Sequence, residues 1–198
     1  PLVSPEEFPS WILFEDQDLL VVNKPGWLVC HPSKNGPWSS LVGAGREYTG
    51  ADRLYLAGRL DRETSGVVLL GKTMAAGKTW QMAVEKREVS RSYLAILKGE
   101  LKNLQEVETH IGNDPDSPVF VKQRVTQSSR KSKLAQTCFL PLIACNGHTL
   151  ARVTTQTGRK HQIRVHAQHI GHSLVGEKLY GDDENLYLEF CQNGWTNE

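Results

Sequence analysis

The chain has 198 residues, 39% hydrophobic and 23% charged, the composition of an ordinary globular protein with room for one sizeable core or two small lobes sharing a cleft. No run of about 18 apolar residues is present, which excludes a membrane-spanning helix, and the opening "PLVSPEEFPSWILFEDQD" lacks the basic-then-apolar layout of a secretory signal, so the cytoplasm is the expected location. The net charge of +1 is unevenly spread: residues 177–198 hold six acids against one lysine, leaving +6 on residues 1–176.

Strand-like runs dominate. "WILFEDQDLLVVNK" reads as two short strands about an acidic turn, and "KPGWLVCHP" then breaks into a Pro- and Gly-punctuated loop. The stretch "GVVLLGKT" (66–73) matches the spacing of a phosphate-binding loop. Such a loop turns backbone N–H groups inward around phosphate, however, and Val67, Val68, Leu69 and Leu70 favour a buried strand. A helix is expected near 73–87, with Thr73 as its N-cap and Ala76, Trp80, Ala83, Val84 and Arg87 at three- and four-residue spacing. "SRSYLAILKGE" alternates as a strand and ends in a Gly turn. "AQTCFLPLIACNGHTLARVTTQTGR" reads as a hairpin turning at Asn146-Gly147. Strands in adjacent runs, with few helices between them, point to an α+β fold with a mixed, mostly antiparallel sheet flanked by helices. No linker divides residues 1–198, so a single catalytic-sized domain is expected.

Several clusters carry chemistry. "GRLDRETSG" (58–66) puts Arg59, Asp61, Arg62, Glu63 and Thr64 in a polar turn that feeds the 67–71 strand, a place where a carboxylate is held rigidly. "KQRVTQSSRKSK" (122–133) has five cations and no acid, as either a solvated loop or a segment that neutralises phosphates. Cys30, Cys138, Cys145 and Cys191 form no Cys-x-x-Cys pair and are expected to be reduced, mostly buried thiols. His166, His169 and His172 have a spacing that presents two rings on one helix face, but no Cys and no Glu stands nearby at a usual zinc-enzyme spacing, so no metal is expected.

Four stretches, in order, resemble the RluA-type family of RNA pseudouridine synthases: "VVNKPGWLVCHP" its early Lys-Pro segment, "GRLDRETSG" its catalytic signature, "RSYLAILKGE" its Tyr motif, and "TGRKHQIRVHAQHIGHSLVGEKLYG" its Arg motif. The resemblance covers residues 11–181. Gly58, Arg91, Ser173 and Glu177 depart from the usual His, Lys, Pro and Asp, and none of these is a residue the chemistry needs. Members of the family generally continue past the Tyr-Gly with further sheet, so a truncated or atypical C-terminus is expected for the acidic stretch 182–198.

The resemblance implies the pseudouridine synthase fold, with a central basic cleft, and isomerisation of specific uridines in structured rRNA or tRNA without a cofactor. It implies that Asp61 acts at the ribose, as nucleophile or as base, with Arg164 as its cationic partner, since a carboxylate that must stay ionised in a water-poor pocket needs a nearby cation. Tyr93 would stack on the flipped base, and Arg59 would occupy the vacated place. Arg62, Thr64 and His161 complete the implied substrate contacts, with "HQIRVH" as a strand leading into a short helix. A monomer, with no membrane and no obligate protein partner, is the expected state, and 122–133 is the expected contact outside the cleft. The competing readings are an RNA-binding module that has no use for Asp61, Tyr93 and Arg164 together, a nucleotide hydrolase built on Lys72, and a glycosidase built on Asp61 and Glu63. Carboxylates two residues apart are poorly placed to flank one bond.

Overall fold

The computed structural model describes residues 2–31 and 35–194. Its residues fall into two compact units, Pro1–Val89 and Ser90–Glu198.

In the first unit the acidic turn at 16–18 joins β1 (Ile12–Glu15) to β2 (Leu19–Lys24), as the sequence suggests. The Asp16 carboxylate accepts from the backbone N–H of Asp18 and Leu19 at 2.8 and 2.7 Å, which fixes the reversal. After α1 (Leu41–Thr49) come β3 (Tyr55–Leu56), β4 (Gly66–Gly71) and α2 (Met74–Glu85). The four strands form an antiparallel sheet in the order β1-β2-β4-β3. Leu20, Val22, Val68 and Leu70 alternate inward along the paired strands and meet Phe8, Leu28, Leu41 and Leu54 in one core.

The strand β4 is the "GVVLLG" of the phosphate-loop spelling. Lys72, the residue such a loop would aim at phosphate, instead pairs with the Glu15 carboxylate and donates to the Asp16 carbonyl at 2.8 Å. Thr73 caps α2, its Oγ1 accepting from Ala76 N–H at 3.2 Å. Arg87 lies beyond the helix end with φ 63°. α2 packs on β3 closely at Gly77, where a Cβ would overlap the Tyr55 side chain.

In the second unit, β5 (Arg91–Lys98), β6 (Gln105–Asn113), β7 (Gln123–Thr126), β8 (Lys133–Cys145) and β9 (His148–Thr155) form an antiparallel sheet in the order β5-β9-β8-β6-β7. The β8–β9 hairpin turns at Asn146-Gly147, with φ 51° and 71°, the two left-handed residues that a tight two-residue turn requires. α3 (Gln162–His169) lays Gln162, Val165 and His166 inward at helical spacing. α4 (Asn185–Asn193) follows. The α+β expectation holds, with the strands shared between two sheets and four α-helices among the described residues.

Two expectations need correction. "HQIRVH" is not a strand leading into a helix: the helix begins at Gln162, directly after His161 in the left-handed region at φ 55°. β9 ends at Thr155, opposite Arg91, the first residue of β5, although on its other side Gln156 N–H still donates to Gln136 O of β8 at 3.2 Å. The Gln162 side chain then closes the turn, its Oε1 accepting from Thr157 Oγ1 at 2.8 Å and Arg159 N–H at 3.0 Å. The four thiols are free, as expected of reduced cysteines, but they are not mostly buried: Cys30 is buried, Cys138 half-buried, and Cys145 and Cys191 are exposed.

Candidate active site

The first unit holds Asp61 on a short turn between β3 and β4. Its backbone is fixed carbonyl by carbonyl. Leu60 O accepts from Cys30 Sγ at 3.4 Å, Asp61 O from Thr64 N–H at 3.2 Å, and Arg62 O from Lys24 Nζ at 3.0 Å. Gly26 lies so close to the next carbonyl that a Cβ there would sit 3.1 Å from Glu63 O. The floor under the turn is therefore the 24–30 segment, which explains in physical terms why a Lys-Pro-Gly stretch accompanies the Asp signature.

Lys24 is the unusual member of that floor, because its side chain is fully buried. Its Nζ donates to Pro25 O at 2.8 Å and Leu28 O at 2.7 Å as well as to Arg62 O, so all three protons of the ammonium have carbonyl acceptors. Burial pushes the Lys24 amine down to about 8, and the Cys30 and Asp61 charges act in the opposite direction. Burial also raises the Cys30 thiol, against the opposing effects of its bond to Leu60 and the charges of Lys24 and Arg59. Arg59 and Arg62 are exposed on either side of the half-buried Asp61, and Thr64 ends the turn before Gly66, whose φ of 122° suits glycine.

The second unit holds the remaining expected residues. Tyr93 lies half-buried on β5 opposite Val153 and packs against the core of Leu97, Phe139 and Val153. Arg164 projects from α3 and meets Glu177 edge-on, with two bonds of 2.7 and 2.6 Å. Burial pushes the Glu177 carboxyl up, but the Arg164 bonds and charge, with the Leu179 and Tyr180 amides, outweigh it and hold the group below the usual carboxylate range. The Arg164 guanidinium also lies 4.9 Å from the centre of the Tyr180 ring. Tyr180 is fully buried, and its hydroxyl is 2.7 Å from His161 Nδ1 and accepts from Gln123 N–H at 2.9 Å. Arg164 and His161 are thus brought together through one ring.

Sequence reasoning named neither Lys24 nor Tyr180 as a site residue, and treated Glu177 as a departure. All three lie inside the quoted motifs. The signal that could have found them is the cost of burying a charge, which obliges a Lys or Glu inside an apolar segment to have dedicated partners.

Part of the remaining charge is paired. Of the five cations in 122–133, Lys122 pairs with Glu184 at 2.6 Å and Arg124 with Asp114 at 3.4 Å and with Asp116. Lys98 pairs with Asp182 at 2.7 Å, so much of the acidic tail serves as counter-charge. His166 lies between the Thr137 and Thr109 hydroxyls at 2.8 and 3.0 Å, and His172 Nδ1 is 2.9 Å from Lys98 O. Among the described residues, no group of three or more His, Cys, Asp or Glu gathers for a metal ion, and no helix is long and apolar enough to cross a membrane.

The family described as RNA pseudouridylate synthase matches residues 18–169. An uncharacterized RNA pseudouridine synthase of Mycoplasma pneumoniae is 37% identical over 194 residues, which is 96% of this chain and 61% of that protein. Ribosomal large subunit pseudouridine synthase D of Yersinia pestis is 35% identical over 182 residues, 90% of this chain and 54% of that protein. The chain thus spans between about half and three-fifths of the length of these relatives. Among solved structures, human RNA pseudouridylate synthase domain containing 4 superposes with a TM-score of 0.73 at 26% identity, covering 90% of this chain and 71% of that one. With the match extending from β2 through α3, the chain belongs to the RNA pseudouridylate synthase family, of the RluA type that its four motifs resemble.

Proposed function

We propose that this chain is an RNA pseudouridine synthase, an isomerase that converts specific uridines of structured rRNA or tRNA to pseudouridine without a cofactor, acting in the cytoplasm as a monomer. The observation that carries the reading is the Asp61 turn, whose consecutive carbonyls at 60, 61 and 62 are each tied down. A carboxylate on so constrained a backbone is preorganised for one geometry.

Asp61 attacks the anomeric carbon, or takes the proton of the neighbouring ribose carbon, as the C1′–N1 bond breaks. The freed uracil turns, C5 bonds to C1′ as the Asp61–C1′ bond breaks or, in the second route, as the proton goes back to the ribose carbon, and the C5 proton leaves while N1 is protonated. Arg164, oriented by Glu177, supplies the positive charge that keeps the carboxylate ionised. Tyr93 stacks on the base, Arg59 fills the place the base has left, and Arg62, Thr64 and His161 hold the nucleotide. Exclusion of water keeps the detached uracil from being lost to hydrolysis.

The test uses RNA carrying tritium at uridine C5. Release is expected from the wild-type chain and absent from Asp61→Asn, while Asp61→Asn still binds the RNA. A fully active Asp61→Asn variant would overturn the assignment of Asp61. A wild type that releases no tritium from any cellular RNA would overturn the activity.

A further inference from the structure

The first unit contains an open cleft of roughly 520 Å³ between α1, β3 and α2, whose lining includes no residue of the Asp61 turn. Arg46 projects into it from α1, Arg53 from the segment before β3, and Lys78 from α2. All three are exposed, and among the described residues none is ion-paired, whereas Lys72, Lys98, Lys122, Arg124 and Arg164 all have carboxylate partners. One acid, Asp52, shares the lining. The floor is apolar: Leu54 is buried, Tyr55 half-buried, and Met74 is 67% exposed.

A cationic rim over an apolar floor with an aromatic ring is the chemistry that takes a single-stranded nucleotide, with phosphates on the cations and the base on the ring. Its position is constrained by the chain itself. Tyr55 and Leu56 are β3, and only four residues separate Leu56 from Asp61, so the two lie within about 18 Å even if that backbone is fully extended. His31, at the edge of the cleft, also feels the positive field of Arg59.

We infer that this cleft holds an unpaired nucleotide of the substrate RNA next to the target uridine, with Arg46, Arg53 and Lys78 contacting its phosphates and Tyr55 and Met74 its base. The inference rests on the proposed RNA substrate but not on the chemistry of Asp61. The cleft sets affinity for the RNA and leaves the reacting atoms untouched.

The test compares the 198-residue chain with the triple variant Arg46→Gln, Arg53→Gln, Lys78→Gln. Binding of a fluorescent RNA hairpin with a uridine-rich loop is followed against salt. Loss of the cations that neutralise the two phosphates flanking that nucleotide lowers the salt slope by roughly 1.4, so that between about 50 and 200 mM salt the wild type loses roughly sevenfold more affinity than the variant. KM rises, and kcat stays within about twofold. The control Lys86→Gln, Lys102→Gln alters two exposed lysines outside the cleft and is expected to move the slope less. An unchanged slope in the triple variant, or an equal change in the control, overturns the cleft assignment. Asp61→Asn separates the two readings, since it removes tritium release and retains the full slope. If the wild type releases no tritium while the triple variant still lowers the slope, the catalytic reading fails and the cleft stands.

Discussion

The Arg164 guanidinium and the Glu177 carboxylate meet in a two-bond, edge-on pair, Nε to Oε2 at 2.7 Å and NH2 to Oε1 at 2.6 Å, with only 4% of the Glu177 side chain exposed. The same carboxylate accepts from the Leu179 N–H at 2.9 Å, so it is itself held by the backbone that carries Tyr180. A planar guanidinium gripped along one edge has a single orientation, which a lysine could not reproduce.

Glu177→Gln tests that orientation. The amide keeps the size and one acceptor but loses the charge, leaving Arg164 beside a neutral partner. Breaking a buried pair in this way costs about 3–5 kcal/mol, and the expected result is a clear loss of stability in urea melts. Where the fold survives, kcat should fall on the order of a hundredfold, as for a displaced catalytic group, with a smaller change in RNA affinity. Glu177→Asp, which restores the residue more usual in the family, should recover part of both losses. The pH dependence follows from the depressed carboxyl: the stability it contributes is present above the unfolded value of 4.5 and is lost as pH falls through the folded value. Glu177→Gln lacks that acid limb.

Lys24 gives a second test, in the first unit. Lys24→Met has nearly the same length but donates to none of the carbonyls of Pro25, Leu28 and Arg62. A buried acceptor left without a donor costs about 1–3 kcal/mol. The expected outcome is destabilisation of several kcal/mol, measured by urea unfolding, together with reduced turnover because the Arg62 carbonyl is released. Unchanged stability and turnover would show that the floor of the Asp61 turn holds without its ammonium.

How far the sequence could be read depends on the range of the interactions involved. The Asn146-Gly147 hairpin, the Thr73 cap and the strand at 66–71 were legible because their causes are local: two left-handed residues, one hydroxyl, four branched apolar side chains. The 161–166 stretch is expected as a strand leading into a helix but starts the helix directly, because that start depends on the left-handed turn at His161 and on the Gln162 side chain closing it. The acidic tail was legible as charge but not as counter-charge, since Glu184 and Lys122 are 62 residues apart. Lys24 was legible only as part of a motif. Its burial is a tertiary fact, as is the clustering of Arg46, Arg53 and Lys78.

Lys72 supplies a contrast between spelling and role. Its partner Glu15 is held below the usual carboxylate range chiefly by their hydrogen bond, and both side chains retain access to solvent. Such a pair contributes about 0–1 kcal/mol. Lys72→Ala should therefore lower stability by no more than about that amount and leave tritium release near the wild-type level. Loss of activity beyond the folding defect would place Lys72 in the chemistry after all.

His166 supplies a pH test in the second unit. It is fully buried, and its two ring nitrogens are within hydrogen-bonding distance of Thr137 and Thr109 hydroxyls. Burial, reinforced by the charge of His169, pushes the imidazole down to about 4. The unfolded chain, with an ordinary value near 6.5, therefore binds the extra proton first as the solution is acidified. Stability contributed by the neutral ring is complete above about pH 6.5 and is lost between there and pH 4, by up to about 3 kcal/mol. Urea midpoints measured at neutral pH and at two points inside that window should fall with acidification. In His166→Gln, which keeps a donor and an acceptor without a titrating group, the fall should flatten, and the acid loss linked to Glu177 should begin only near its unfolded value of 4.5, because its folded value lies lower. A wild-type midpoint that stays constant from pH 6.5 to 4 would mean that His166 accepts a proton inside the folded unit without penalty.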